Sequence, residues 1–514
     1  MASEAVSTGT ASTGTATPAN LGPRKLTTIH AIGQALAIGP IFSIGLVSGL
    51  VASVAGFSTP LSILLGSVGS LGLAYVIAIY ARRYAGAGAI YEYLAQAVHN
   101  SFGIFSAGVY FLGTLFLGAG GIYIGLGFLV QGFFQAHLST TIPWWLGGAV
   151  ALAIAFLLNH FGVRIAIRGV LTLAIFSTIP FLILAVVIIS KGGVGGNTLS
   201  VFTPNATSWN AVFNGILFAV TLFIGFEAAA SIAEETHNPR KSIPIAVVGA
   251  VGMTAILYVV VSYAATIGFG QAALAKSPNA WFASPSPMGA LATTYVGSWL
   301  SVLIDLVIIL DATSLAIAIM ITASRIVFAW GRDGLLPSFA ARTSRYNTPI
   351  VGNVAVVIWS IALLIWAGLT NVGQAAKPPA PNPNEAFLIT TSAGSYLVEL
   401  IYVFLAVFAL KLLWESRRTE GGLWWKAIVV LLGLATPILA FKGALSPFPP
   451  YPLDIAVWIA IGCIVVAAVW YAVLHFARPA QVKLAARHAI AHEGVPARDE
   501  TLDFRPEPEG TMSA

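Results

Sequence analysis

Charge is scarce in this 514-residue chain: Asp, Glu, Lys and Arg together make up 9% of it. Soluble domains usually carry about 25% charged residues, which coat their surfaces. The shortage excludes a soluble enzyme, a disordered chain and a nucleic-acid-binding module. Cysteine is nearly absent as well. Its single copy, Cys463, excludes a disulfide framework and any multi-cysteine metal site. No HExxH, GxSxG or GxxxxGK(S/T) sequence occurs. Zinc proteolysis, serine hydrolysis and pumping by ATP hydrolysis are therefore not expected of this chain, and neither is a metal or other cofactor. What fills the sequence instead is apolar, at 57%, with a mean hydropathy of +0.87. Such a chain takes the lipid bilayer as its solvent. The 51 glycines and 27 prolines suit helices that pack closely and break in places.

Residues 1–28 are rich in Ser, Thr, Ala and Gly and read as a disordered cytoplasmic tail. Met1 is followed by neither a basic region nor a short apolar core, so a secretory signal is not expected. Residues 478–514 read as a second cytoplasmic tail, with one helical stretch near 480–492. Between them, residues 29–477 hold about twelve apolar stretches: 29–55, 60–80, 102–135, 143–159, 165–190, 211–236, 244–270, 293–330, 349–370, 387–411, 423–442 and 453–476. A spanning helix needs about 20 such residues. Three stretches are too long for one straight helix, which predicts tilt or breaks. With the N-terminus in the cytoplasm, 21 of the 25 Lys and Arg fall inside and four, Lys191, Lys276, Lys377 and Lys442, fall outside. That bias predicts twelve spans with both ends cytoplasmic, in a plasma or inner membrane. It also accounts for the net charge of +6 without nucleic acid.

Acidic residues at membrane depth are costly and mark functional candidates. Four stand inside the apolar spans: Glu227, Asp305, Asp311 and Glu399. The first span carries Ile38-Gly39-Pro40-Ile41-Phe42-Ser43. Pro40 interrupts the helix and suits the first position of a new one. The amides of Ile41, Phe42 and Ser43 would then face a substrate carboxylate at a half-helix N-terminus; a plain proline kink is the alternative. The sixth span carries Phe223-Ile224-Gly225-Phe226-Glu227, a second break with an acid beside it. Interrupted helices at matching positions of two five-helix halves point to a transport site between them. Glu227 is either a cap for its break or a proton carrier or gate. Asp311 precedes Thr313 and Ser314, whose hydroxyls could hold sodium or satisfy their own helix. Asp305 would sit nearer the outer vestibule, Glu399 is either a gate residue or the partner of a nearby hydroxyl, and Glu234 and Glu235 would hold an inner loop by ion pairs near Arg240 and Lys241.

The stretch from Phe223 to Pro244, with its Glu227, Glu234, Glu235 and Asn238-Pro239-Arg240-Lys241, resembles the sixth-helix signature of the amino acid–polyamine–organocation superfamily. Ala81-Arg82-Arg83-Tyr84-Ala85-Gly86-Ala87-Gly88-Ala89-Ile90-Tyr91-Glu92 resembles the loop after that family's second span. The segment from Ser324 to Pro337 resembles the end of its eighth. The resemblance implies an all-α polytopic fold of twelve transmembrane helices, leucine-transporter-like. It would hold a 5+5 inverted repeat, two extra helices and breaks in helices 1 and 6. It also implies secondary transport of amino acids or related amines, with a proton or sodium as coupling ion. The substrate would sit among residues 38–43 and 223–227. Two features depart from the family pattern. Ile38 and Pro40 flank Gly39 where a Gly-x-Gly break is usual. Ser177 stands where some proton-coupled relatives carry a lysine in span five, so that lysine's role in coupling does not carry over.

Overall fold

The computed structural model describes residues 25–36, 39–86, 88–276, 279–284, 286–370, 383–417 and 422–485. Ile38 and most of both expected tails lie outside them. Among the described residues everything regular is helical, and β-pairing is confined to two isolated bridges, Leu26 with Thr236 and Thr343 with Pro349. Within the described residues, ten helical runs are long and apolar enough to cross a membrane, and Trp144–His160 is a shorter apolar helix. This is a multi-pass membrane protein. In hydrocarbon every backbone N–H and C=O must be satisfied within the chain, which leaves helices as the available form for these segments.

The first run is a chain of pieces: α1 (Thr28–Ala35), α2 (Pro40–Phe42), a wide turn at Ser43–Val47 and α3 (Ser48–Ala55). After a reversal at Gly56, α4 (Thr59–Ala81) returns. Then follow α5 (Ile90–Ala97), α6 (Asn100–Thr114), α7 (Tyr123–Leu138), α8 (Trp144–His160) and α9 (Val163–Lys191). α10 (Trp209–Thr221) ends at the second interruption, beyond which Phe226–Glu235 winds as a tight 3-10 helix. α11 (Pro239–Phe269) is followed by three short helices, α12 (Gln271–Leu274), α13 (Ala280–Ala283) and α14 (Pro287–Tyr295). The long α15 (Ser298–Arg332), α16 (Ile350–Thr370), α17 (Pro383–Glu415), α18 (Leu423–Leu445), α19 (Asp454–Ala477) and the short α20 (Pro479–Leu484) complete the chain.

The long stretches differ from one another. The first is broken as expected. The third keeps one path from α6 to α7, because a π-helical widening at Leu115–Ile122 absorbs the extra residues without an interruption. The expected span 293–330 starts late: Gly297 (φ +144) ends α14's approach, and α15 then runs 35 residues uninterrupted.

Small residues set the helix spacing. A Cβ added to Gly72 of α4 would lie 2.5 Å from the Gly433 nitrogen of α18, so these two helices touch backbone to backbone. The outward faces remain apolar, with Trp424, Ile428, Val465 and Phe476 all exposed. A solute-facing surface of that kind would aggregate; a lipid-facing one needs it.

The three sequence stretches singled out above meet at one end of the bundle. The Arg332 guanidinium ends α15 and pairs with Glu234 at 2.9 Å and with Glu92 of α5 at 3.3 Å. Tyr91 donates to Asp333 at 2.8 Å, and buried Arg325 pairs with Glu235 at 2.7 Å. Glu234 and Glu235 thus each have an ion-pair partner on α15. Burial, and after it the charge of Glu234, pushes the Glu92 carboxyl up from 4.5 to about 8. Between those two values the folded chain holds a proton that the unfolded chain has released. Stability therefore falls as pH rises through that window. The melting temperature of detergent-solubilised protein should drop by several degrees between pH 5 and pH 9, and Glu92→Gln should flatten the slope. Identical slopes in the two proteins would contradict this.

Candidate transport site

Gly39 caps α2 in the left-handed region (φ +64, ψ +62), a conformation that costs glycine little, and Pro40 takes the first helical position. The amides that follow are not open. Ile41 and Phe42 both donate to Oδ2 of Asp311, at 2.8 and 2.9 Å, and the Ser43 amide returns to the Gly39 carbonyl at 2.8 Å. The expectation of an open seat for a substrate carboxylate on Ile41, Phe42 and Ser43 is therefore corrected: the seat holds the protein's own carboxylate. The reason is geometric. α15 packs directly against α2, and Asp311, fully buried, has no better use for its charge than two aligned donors at a helix N-terminus.

The second break is closed by a residue of its own. Gly225 (φ +119) ends the turn after α10, and its amide donates to Oε2 of Glu227 at 3.0 Å. Tyr402 of α17 donates to the same oxygen at 2.6 Å, and Tyr110 of α6 donates to Oε1 at 3.1 Å. Glu227 thus ties the break to two other spans. Phe226 is buried and stacks on the Tyr402 ring, with centroids 5.7 Å apart. Phe223 is also buried and meets Tyr258 of α11 at 4.9 Å. Tyr258 bridges the two breaks. Its hydroxyl donates to the Leu222 carbonyl at 3.0 Å and hydrogen-bonds to the Ser43 side chain.

Between the breaks lies a cavity of about 730 Å³. Phe42, Ser43, Ile224, Gly225 and Glu227 line it, while Gly39, Pro40, Ile41, Phe223, Phe226 and Asp311 do not. It extends to Trp281, Phe282 and Pro287 and to Gly443, Pro447 and Leu453, at the end of the bundle opposite the Arg332 cluster. No Lys, Arg or His lines it among the described residues, whereas two carboxylates do: Glu227 and Glu399. A cavity with that lining favours positive charge.

The remaining candidates divide. Thr313 and Ser314 donate to the Ile309 and Leu310 carbonyls of their own helix, at 2.8 and 3.1 Å. Ser177 is fully buried, and its hydroxyl has no hydrogen-bond partner. Asp305 lies apart from the breaks, paired with His137 at 2.8 Å and hydrogen-bonded by Ser286. The tyrosines 110, 258 and 402 were not singled out from the sequence. A usable signal existed: membrane tyrosines concentrate at the interfaces, so a tyrosine at mid-span needs a buried partner.

A family profile described as "Amino acid permease" matches residues 34–473. The branched-chain amino acid permease BcaP of Bacillus subtilis (strain 168) is 31% identical over 173 residues, 31% of this chain and 36% of that protein. The aspartate-proton symporter of the same organism is 26% identical over 253 residues, 46% and 47% of the two chains. The polyamine transporter PUT1 of Oryza sativa subsp. japonica is 26% identical over 226 residues, 43% and 40%. The matched regions thus span between about a third and a half of these relatives.

The Asp311 contact has a direct consequence. Asp311→Ala would leave two buried amides without an acceptor, at about 1–3 kcal/mol each, and should lower the melting temperature clearly. Asp311→Asn keeps an acceptor oxygen and should recover most of the loss. Wild-type thermal stability in Asp311→Ala would contradict the assignment.

Proposed function

The chain belongs to the amino acid permease family, and on that premise we propose that it is a secondary transporter moving amino acids or amines across a cytoplasmic membrane by alternating access. The observation that carries this reading is the pair of interrupted helices facing one cavity, each interruption held by a buried carboxylate. Such half-helices flank the substrate in transporters built from inverted repeats. Twelve spans follow if the run Thr28–Ala81 is counted as two and Trp144–His160 as one. The breaks then fall in spans one and six, as a 5+5 repeat requires. The concentration of 21 of 25 basic residues supports a cytoplasmic position for the Arg332 end and for both termini. The cavity then opens outward, and the Glu92–Arg332–Glu234 cluster closes the inner side. One bundle rocking against the other would exchange the two.

A second substrate reading has an observation of its own. With Asp311 on the Ile41 and Phe42 amides and no cationic side chain along the cavity among the described residues, a carboxylate-free amine is the better match. For coupling, we favour the proton. Glu227 already accepts three hydrogen bonds that hold its break, whereas Oδ1 of Asp311 has no hydrogen-bond partner among the described residues and is the freer of the two to take up a proton. Sodium at Thr313 and Ser314 is the competing arrangement.

Uptake into proteoliposomes decides among these. Labelled amino acids and, separately, labelled putrescine are supplied under an inward proton gradient, an inward sodium gradient, or neither. The reading expects saturable uptake that rises with the proton gradient and loses that rise in Asp311→Asn. Uptake driven by sodium alone would move coupling to Thr313 and Ser314. Absence of flux for every solute, with folded protein in the vesicles, would sink the transport reading.

A further inference from the structure

Of the buried acids in the spans, Glu399 differs from the others. It sits at the midpoint of α17, is 1% exposed, lines the cavity, and makes no hydrogen bond or ion pair among the described residues. Glu227 is held by three donors and Asp311 by two. A buried carboxylate without a partner is costly, and such groups persist where something completes them. One helical turn away, Ser395 is also buried, also lines the cavity, and its hydroxyl is also unpartnered. The two side chains, four residues apart, share one face of α17. Nothing in the cavity wall can neutralise them, because no basic side chain lines it among the described residues.

We infer that Glu399, with Ser395 beside it, is the seat for a positively charged group on the far end of the substrate, and so sets a preference for solutes bearing a side-chain ammonium or a second amine. This rests on the transport reading above. The rest of the cavity suits such a solute. Phe42, Phe387, Leu315 and Ile319 offer apolar surface to an alkyl stem, and Phe42 and Phe387 meet edge to face at 6.4 Å. Glu227 is engaged with its own break, so it contributes field but no free lone-pair geometry until the tyrosines move.

The test compares solutes that differ only in the terminal charge. Lysine is paired with norleucine, and cadaverine with pentylamine. Each is measured in proteoliposome uptake and as thermal stabilisation of the nanodisc-embedded full chain. In wild type, the charged member of at least one pair should be preferred. Glu399→Gln should cut that preference by at least about tenfold, the size expected when one partner of a buried charge pair is removed, through loss of the charged member rather than gain of the uncharged one. Glu399→Asp, which keeps the charge, should retain part of the preference and guards against a folding defect. A charged-to-uncharged ratio in Glu399→Gln within about twofold of wild type would overturn the inference while leaving transport intact. Conversely, loss of lysine or cadaverine stabilisation in Glu399→Gln without uptake in wild type would keep the cation seat and sink the transport reading. Wild-type protein that neither carries nor is stabilised by either cation overturns the inference.

Discussion

The contact on which the rest of the site depends is the one between Asp311 and the amides of Ile41 and Phe42. A helix cannot be interrupted inside hydrocarbon unless the freed backbone groups find partners. Gly39 and Pro40 make the interruption, but they do not satisfy it. Asp311 does so from 270 residues away, and in return the two amides and the half-helix field stabilise a carboxylate that burial alone would disfavour. The second interruption repeats the solution with other means: Glu227 reaches back to Gly225 and is steadied by Tyr110 and Tyr402. Tyr258 stands between the two breaks, bonded to Leu222 beside the second and to Ser43 beside the first, inside an otherwise apolar bundle.

These contacts hold each break through groups that could be released. Each depends on a few strong hydrogen bonds to groups carried by other helices, α15 at the first break and α6 and α17 at the second. Relative movement of those helices would therefore alter the capping of both breaks, which is the handle that the proposed alternating access would use. At the far end, the Arg332 cluster draws α5, α15 and the 3-10 segment Phe226–Glu235 together, so the segment that begins at Glu227 ends at Glu234 and Glu235 in the ion pairs.

Much of the architecture could be read from the residues alone. The apolar stretches marked the membrane-crossing helices, and Gly39-Pro40 and Gly225 marked the interruptions, because proline and glycine act locally and leave a local signature. The buried acids were visible for the same reason: a carboxylate in an apolar run has no local excuse. Partnership was not legible. Nothing near Asp311 in sequence says that it serves Ile41 and Phe42, and the amides were accordingly expected to wait for a substrate. Glu227 and Glu399 look alike in the sequence, yet among the described residues the first has three donors and the second none. The segments at 81–92, 223–244 and 324–337 could each be noticed, but their convergence on Arg332 depends on how α5 and α15 pack. Local chemistry is written in the chain; which distant group answers it is decided by packing.

The most direct test is an experimental structure with a transported solute bound. The account predicts Oδ2 of Asp311 still on the Ile41 and Phe42 amides, with the solute in the cavity beside Glu227 and Glu399. A solute carboxylate seated on those two amides, with Asp311 displaced from them, would contradict it.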